Sequence, residues 1–113
     1  KGLADVTKYW TPNELLPYKN LISEGKIEAI MTAHIINRNI DPSGLPATLS
    51  KKAITDLLRN KLSYQGVVFS DDMQMHAISS FYGFEESIKM AINAGVDILI
   101  FSNNIEKATL YTG

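Results

Sequence analysis

The chain has 113 residues, 45% of them hydrophobic and 20% charged, with a formal net charge of -1. Those proportions describe one globular unit rather than a disordered segment, and the near-neutral balance without a basic stripe argues against a nucleic-acid partner. The absence of cysteine excludes disulfides and thiolate metal sites, and no apolar run approaches the ~20 residues of a membrane span.

The opening KGLADVTKYW shows neither a helical nor a strand period, and it reads as the middle of a longer chain. Thr11-Pro12-Asn13-Glu14 then marks a helix start, with threonine as N-cap, proline at the first helical position and acid in the first turn. Leu15, Leu16, Tyr18, Leu21 and Ile22 supply its apolar face, Pro17 bends it near its start, and Gly25 stops it. IEAIMTAHI, residues 27–35, predicts a strand buried on both faces, followed by a polar loop. A second helix is expected from Ser50, carried by Ala53, Ile54, Leu57, Leu58 and Leu62, and it is broken at Tyr64-Gln65-Gly66. The next strand is GVVF. A short helical turn at 75–80 and a third helix at about 84–93 follow, the latter closed by Gly95 as a left-handed cap. VDILIF, residues 96–101, is the third apolar strand, and 105–111 predicts a last helix.

Helix and apolar strand thus alternate three times, with strand starts near 28, 67 and 97 and a spacing of ~30–40 residues that suits βα units. The pattern predicts a parallel α/β structure of about three strands. Three strands do not close a barrel, which needs eight, so the pattern fits either a small layered domain or a piece of something larger.

Parallel α/β folds collect functional groups at the carboxyl ends of their strands. Read in order, those ends carry His34, then Ser70-Asp71-Asp72, then Ser102-Asn103-Asn104. Each admits a plain structural role. His34 fits a satisfied rim histidine, the two aspartates fit helix-capping acids, and Asn103 or Asn104 fits the N-cap of the last helix. Met73 and Met75 fit packing residues. His76 stands four residues after Asp72, but one Asp–His pair lacks the ligands of a metal site. Spacing alone gives a polar rim and no reaction.

The stretches IMTAHI, IDPSGLPATLSKKAITDLLRNKLSYQGVVFSDDMQMHAI and AINAGVDILIFSN closely resemble the β-N-acetylhexosaminidase branch of glycoside hydrolase family 3. The likeness runs in order from LADVT to ILIFSNN. It implies a partial (β/α)8 TIM barrel, with residues 1–113 as the carboxyl-terminal portion of the catalytic barrel domain. It also implies a retaining enzyme that hydrolyses β-N-acetylglucosaminides, such as peptidoglycan fragments, through a covalent glycosyl-enzyme intermediate. By the same resemblance Asp71 is the catalytic nucleophile, Asp72 a capping or supporting acid, and His34 and Met75 substrate-binding residues of the sugar subsite. No cofactor and no metal are implied.

Two family features are missing from this stretch. The acid/base, a histidine paired with aspartate in an Asp-Ser-His-like motif, normally stands just before the segment matching LADVT. A KHFPGHG-like lysine–histidine sugar clamp normally lies further upstream. The expectation is therefore a fragment inactive on its own, whose partners are the remaining half of the barrel and, through open strand edges, further copies of itself. The competing expectation is a non-catalytic α/β sugar-binding or interaction module. A β-glucosidase of the same larger family fits less well, since those enzymes more often carry Ser-Asp-Trp where this chain has Ser-Asp-Asp.

Overall fold

In the computed structural model, which describes residues 3–101, the apolar runs become parallel strands. In chain order these are β1 (Ala4–Asp5), β2 (Ala29–Met31), β3 (Ile35–Ile36), β4 (Val67–Asp72) and β5 (Ile98–Ile100). One sheet has the order β2-β4-β5 and is parallel throughout, with Ala29 opposite Val67 and Phe69 opposite Ile98. The expected strands near 28, 67 and 97 are these three. The serial alternation of parallel strand and helix agrees with the partial (β/α)8 architecture.

Helices fill the connections. A tight turn at Pro12–Leu15 leads into α1 (Leu16–Ser23). A wide helix, Lys52–Lys61, joins β2 to β4; its bonds reach five residues back, as in Leu62 N–H to Leu57 O at 2.8 Å. Two helices, α2 (His76–Tyr82) and α3 (Phe84–Ala94), join β4 to β5. In α3 the buried residues Ser87, Ile88, Ala91 and Ala94 recur at helical spacing, so one face of the helix meets the sheet. Gly95 ends it at φ +117°, the left-handed cap expected there.

The core lies on one side of the main sheet. Val68 on β4 packs with Met73, Ile78, Ile88, Ala91, Ala94, Val96, Ile54 and Leu49. Fully burying side chains such as Val68, Met73 and Ile78 contributes about 1.5–3 kcal/mol each, so this layer, not the strand pairing, carries most of the stability. At the amino ends of the strands Arg59 acts as a fork. It donates to Gly66 O (2.6 Å), to Tyr64 O (3.2 Å) and to Asp97 Oδ2 (2.6 Å), while Asp97 Oδ2 also accepts the Val68 amide (2.9 Å).

Four expectations are corrected. The run 27–35 is not one strand: β2 stays in the main sheet only to Met31, and β3 pairs with β1, in the segment that had no visible period. The break falls where the Thr48 amide donates to Ala33 O (3.3 Å), so the polar loop crosses between the two halves. Nor are the strands buried on both faces. Met31, Val67 and Ile98 are 62%, 37% and 44% exposed, because helices cover only the opposite face. The apolar side of α1 is covered only in part: Ile22 packs against the core, while Leu16, Tyr18 and Leu21 are exposed. Thr11 does precede the first helical turn, but its side chain makes no cap hydrogen bond. The residues expected to form the last helix, and Ser102 to Asn104, lie outside the described residues.

Candidate active site

Because β2, β4 and β5 run parallel, their carboxyl ends share one rim, and β4 reaches furthest along it, to Asp72. Its end is irregular. From the pair Phe69–Ile98 to the pair Asp72–Ile100, β4 advances three residues (69 to 72) while β5 advances two (98 to 100). The extra residue makes a β-bulge, a device that bends a strand and re-aims its side chains. Ser70, fully buried, stabilises the bulge by accepting the Ile100 amide on Oγ at 2.8 Å, and the Met73 amide then donates to Ile100 O, also at 2.8 Å.

Asp71 sits within this bulge, half-buried, next in the alternation after Val67 and Phe69. Its Oδ1 accepts the Asp72 amide at 2.8 Å. Among the described residues Oδ2 has no hydrogen-bond partner, so the carboxylate is oriented by one oxygen and presents the other. Asp72 does different work: its Oδ1 accepts the Gln74 amide at 2.9 Å, the local turn-forming bond that aspartate makes readily. It does not cap α2, the role expected of the aspartates, since that helix begins at His76 with Met75 at its N-cap and no side-chain cap bond.

His34 is 4% exposed and lies against the same turn. Its Nε2 stands 2.8 Å from Asp72 O, and its Nδ1 3.0 Å from Thr48 Oγ1. A carbonyl only accepts, so Nε2 carries the proton; in the neutral ring Nδ1 is then the acceptor, and the Thr48 hydroxyl donates to it. Thr48 has spent its one proton, so the hydroxyl of Thr32, 2.9 Å away, donates to Thr48. The result is a directed chain from Thr32 through Thr48 and His34 to the Asp72 carbonyl. Both ring nitrogens of His34 are thereby occupied by protein atoms.

Met75 stands at the N-cap of α2, on the rim and 38% exposed, whereas Met73 is fully buried in the core. His76 opens α2 as an exposed residue. Among the described residues no three carboxylate or imidazole side chains converge as a metal ion would require, and no helix is long and apolar enough to cross a membrane.

Sequence reasoning brought His34 and Asp71 to one rim but missed the residues that bind them together. Thr48 and Thr32 carried no local signal. Asp41 had one, the Asp-Pro-Ser-Gly turn. It is 4% exposed and accepts from the Ser43 amide (3.0 Å), the Ser43 hydroxyl (2.6 Å) and the Ser50 hydroxyl (2.5 Å), bracing the loop that carries Thr48. Burial pushes its carboxyl up, but those hydrogen bonds and the charge of Lys52 outweigh it and hold the group below the usual carboxylate range.

Parallel β/α units with a carboxylate on a bulged strand end define a barrel-type segment with an acidic rim. Comparison with known proteins narrows this. Residues 7–112 match the glycosyl hydrolase family 3 N terminal domain, and the chain belongs to that family. It is 42% identical over 93 residues to a β-hexosaminidase of Haemophilus influenzae, an alignment covering 82% of this chain and 26% of that protein. Among solved structures it is similar to a glycoside hydrolase family 3 β-N-acetylglucosaminidase from Paenibacillus sp., with TM-score 0.79, 43% identity and coverage of 85% of this chain and 18% of that one. The β-N-acetylglucosaminidase of Thermotoga maritima gives TM-score 0.74 and 39% identity, covering 87% of this chain and 21% of that one. The chain therefore spans about a quarter of the length of the curated relative it matches.

Proposed function

We propose that these residues are the carboxyl-terminal portion of a family 3 catalytic barrel, and that the whole protein is a retaining β-N-acetylhexosaminidase acting on terminal β-N-acetylglucosaminides. The observation that supports this best is Asp71: a carboxylate on a bulged strand end, with Oδ1 fixed by the Asp72 amide and Oδ2 left to react. In this reading Asp71 Oδ2 attacks the anomeric carbon. The new C–O bond forms as the bond to the leaving oxygen breaks, and that oxygen takes a proton from an acid outside these residues. Water then attacks the same carbon, gives up a proton to the conjugate base, and releases Asp71 as a carboxylate.

Met75, on the rim beside this turn, offers a polarisable surface to the sugar's acetamido group. The exposed inner face of the main sheet, with Met31, Val67 and Ile98, is where the rest of the barrel would pack. Without that cover the same face would drive self-association.

The test has two arms. The intact protein should hydrolyse a chromogenic β-N-acetylglucosaminide, and a slow 5-fluoro glycosyl fluoride should leave its covalent label on the peptide carrying Asp71. The isolated 113-residue chain should show no useful turnover, since losing the general acid alone costs ~10²–10⁴-fold. Sugar binding by the intact protein without turnover would make it a binding module instead. A label on another carboxylate would remove Asp71 from the role.

A further inference from the structure

We propose that His34 is a positioning residue for the nucleophile: its Nε2–H clamps the Asp72 carbonyl and so sets the orientation of the Asp71 carboxylate, with Thr48 holding the imidazole in the required tautomer. The proposal rests on the reading of Asp71 as the nucleophile.

The two peptide groups around Asp72 are tied at three points. The amide preceding Asp72 donates to Asp71 Oδ1 (2.8 Å), and the carbonyl following it accepts from His34 Nε2 (2.8 Å). The Met73 amide, in the same peptide group as that carbonyl, donates to Ile100 O (2.8 Å). Fixing the second peptide plane at both ends limits ψ of Asp72, and the first plane carries the donor that selects the carboxylate rotamer. The imidazole thus acts on the reacting oxygen without touching substrate.

The tautomer matters because Asp72 O has no proton to give. With the proton on Nδ1 instead, an Nε2 lone pair would face a carbonyl lone pair at 2.8 Å, and the clamp would become a repulsion. Thr48 prevents this. Its hydroxyl, fully buried and supplied by Thr32 at 2.9 Å, already points its proton at Nδ1. Burial of His34 and Thr48 leaves little access for water to take over either bond. A sugar-contacting histidine would keep a ring nitrogen for the ligand, and this one keeps none.

The experiment uses the intact protein and compares His34→Ala, His34→Gln and Thr48→Val. His34→Ala should lower kcat by ~10²-fold, the cost of a nucleophile misplaced by about an ångström. KM and the affinity for free N-acetylglucosamine should stay within ~3-fold, because uniform binding is not what was removed. The glutamine, whose terminal N–H can reach Asp72 O, should recover most of that loss. Thr48→Val keeps shape and histidine alike but takes the donor away from Nδ1, so its effect should be a smaller fall in kcat, with the Nδ1 signal shifted in ¹⁵N spectra of labelled histidine while the Asp72 carbonyl keeps the proton on Nε2. If His34→Ala does not fold, Thr48→Val and the spectra decide.

Several results would overturn the proposal. They are a raised KM and weakened sugar affinity with kcat intact, a glutamine no better than alanine, or a parent protein carrying the proton on Nδ1. A failure of the enzymatic reading shows separately, as absent turnover or a misplaced covalent label, while the tautomer measurement still reports on the clamp.

Discussion

Replacing Asp41 by asparagine tests whether the loop brace behind the site is held by charge. Asparagine can keep the two bonds from Ser43 through its one oxygen, but its amide would then face Ser50 Oγ. Ser50 Oγ already accepts the Ala53 amide at 3.0 Å and uses its proton on Asp41 Oδ2, so after the change that proton has no acceptor. Asp41 is 4% exposed and Ser50 fully buried, which leaves water little room to repair the loss. One hydrogen bond to a charged group contributes about 1.5–3 kcal/mol, so Asp41→Asn should cost about 2 kcal/mol at neutral pH. The pH dependence has a definite sign. The folded-state pKa of Asp41 lies below its ordinary value, so its charge stabilises the fold above the unfolded pKa of about 3.9 and loses that effect as pH falls through the folded value. Urea unfolding of the intact parent and variant, followed by far-UV circular dichroism, should show the gap full at pH 7 and narrowing below about pH 4. Equal stabilities at pH 7, or a gap that ignores acid, would show that the carboxylate is not what holds the loop.

Two further substitutions probe the frame around the site. Gly95→Ala would place a Cβ 2.9 Å from Thr55 Oγ1 and 3.1 Å from Ile54 Cγ2 at a φ of +117°, with the Thr55 hydroxyl already committed to Ala94 O. It should cost about 1–3 kcal/mol in a denaturation midpoint, with kcat unchanged. Ser70→Ala removes the acceptor of the Ile100 amide inside the bulge and should cost about 1–3 kcal/mol, seen as faster hydrogen exchange at Ile100 and a reduced kcat.

Much of the fold was legible because glycine and apolar runs punctuate the chain. Gly25, Gly66 and Gly95 bound the segments that became α1, β2, β4, α3 and β5. Periodicity alone also placed His34 and the two aspartates on one rim. The split at Thr32 was not legible, because IEAIMTAHI is apolar on either side of it and the Thr48 that bonds at the break comes sixteen residues later. Distance also hid Thr48, fourteen residues from His34, since no local pattern marks a threonine as the partner of a remote imidazole. Ser70 looked like part of the acidic motif, yet its role follows from a bulge that only the pairing with β5 reveals. The uncovered inner face could not be read from hydrophobicity, which reports what a strand prefers and not what is present to cover it.

The bonds that hold the carboxyl end of β4 have an unusual reach along the chain. Thr48 meets His34 across 14 residues, Ser70 meets Ile100 across 30, and His34 meets Asp72 across 38. Contacts of such separation close only after the intervening chain has lost its freedom, so they form late in folding. A folding intermediate with helices formed but β2, β4 and β5 not yet aligned would have Asp71 in its sequence without a defined carboxylate geometry. With Asp71 as the proposed nucleophile, its reactive geometry would then arrive with the final strand alignment, and a nascent chain would acquire it last.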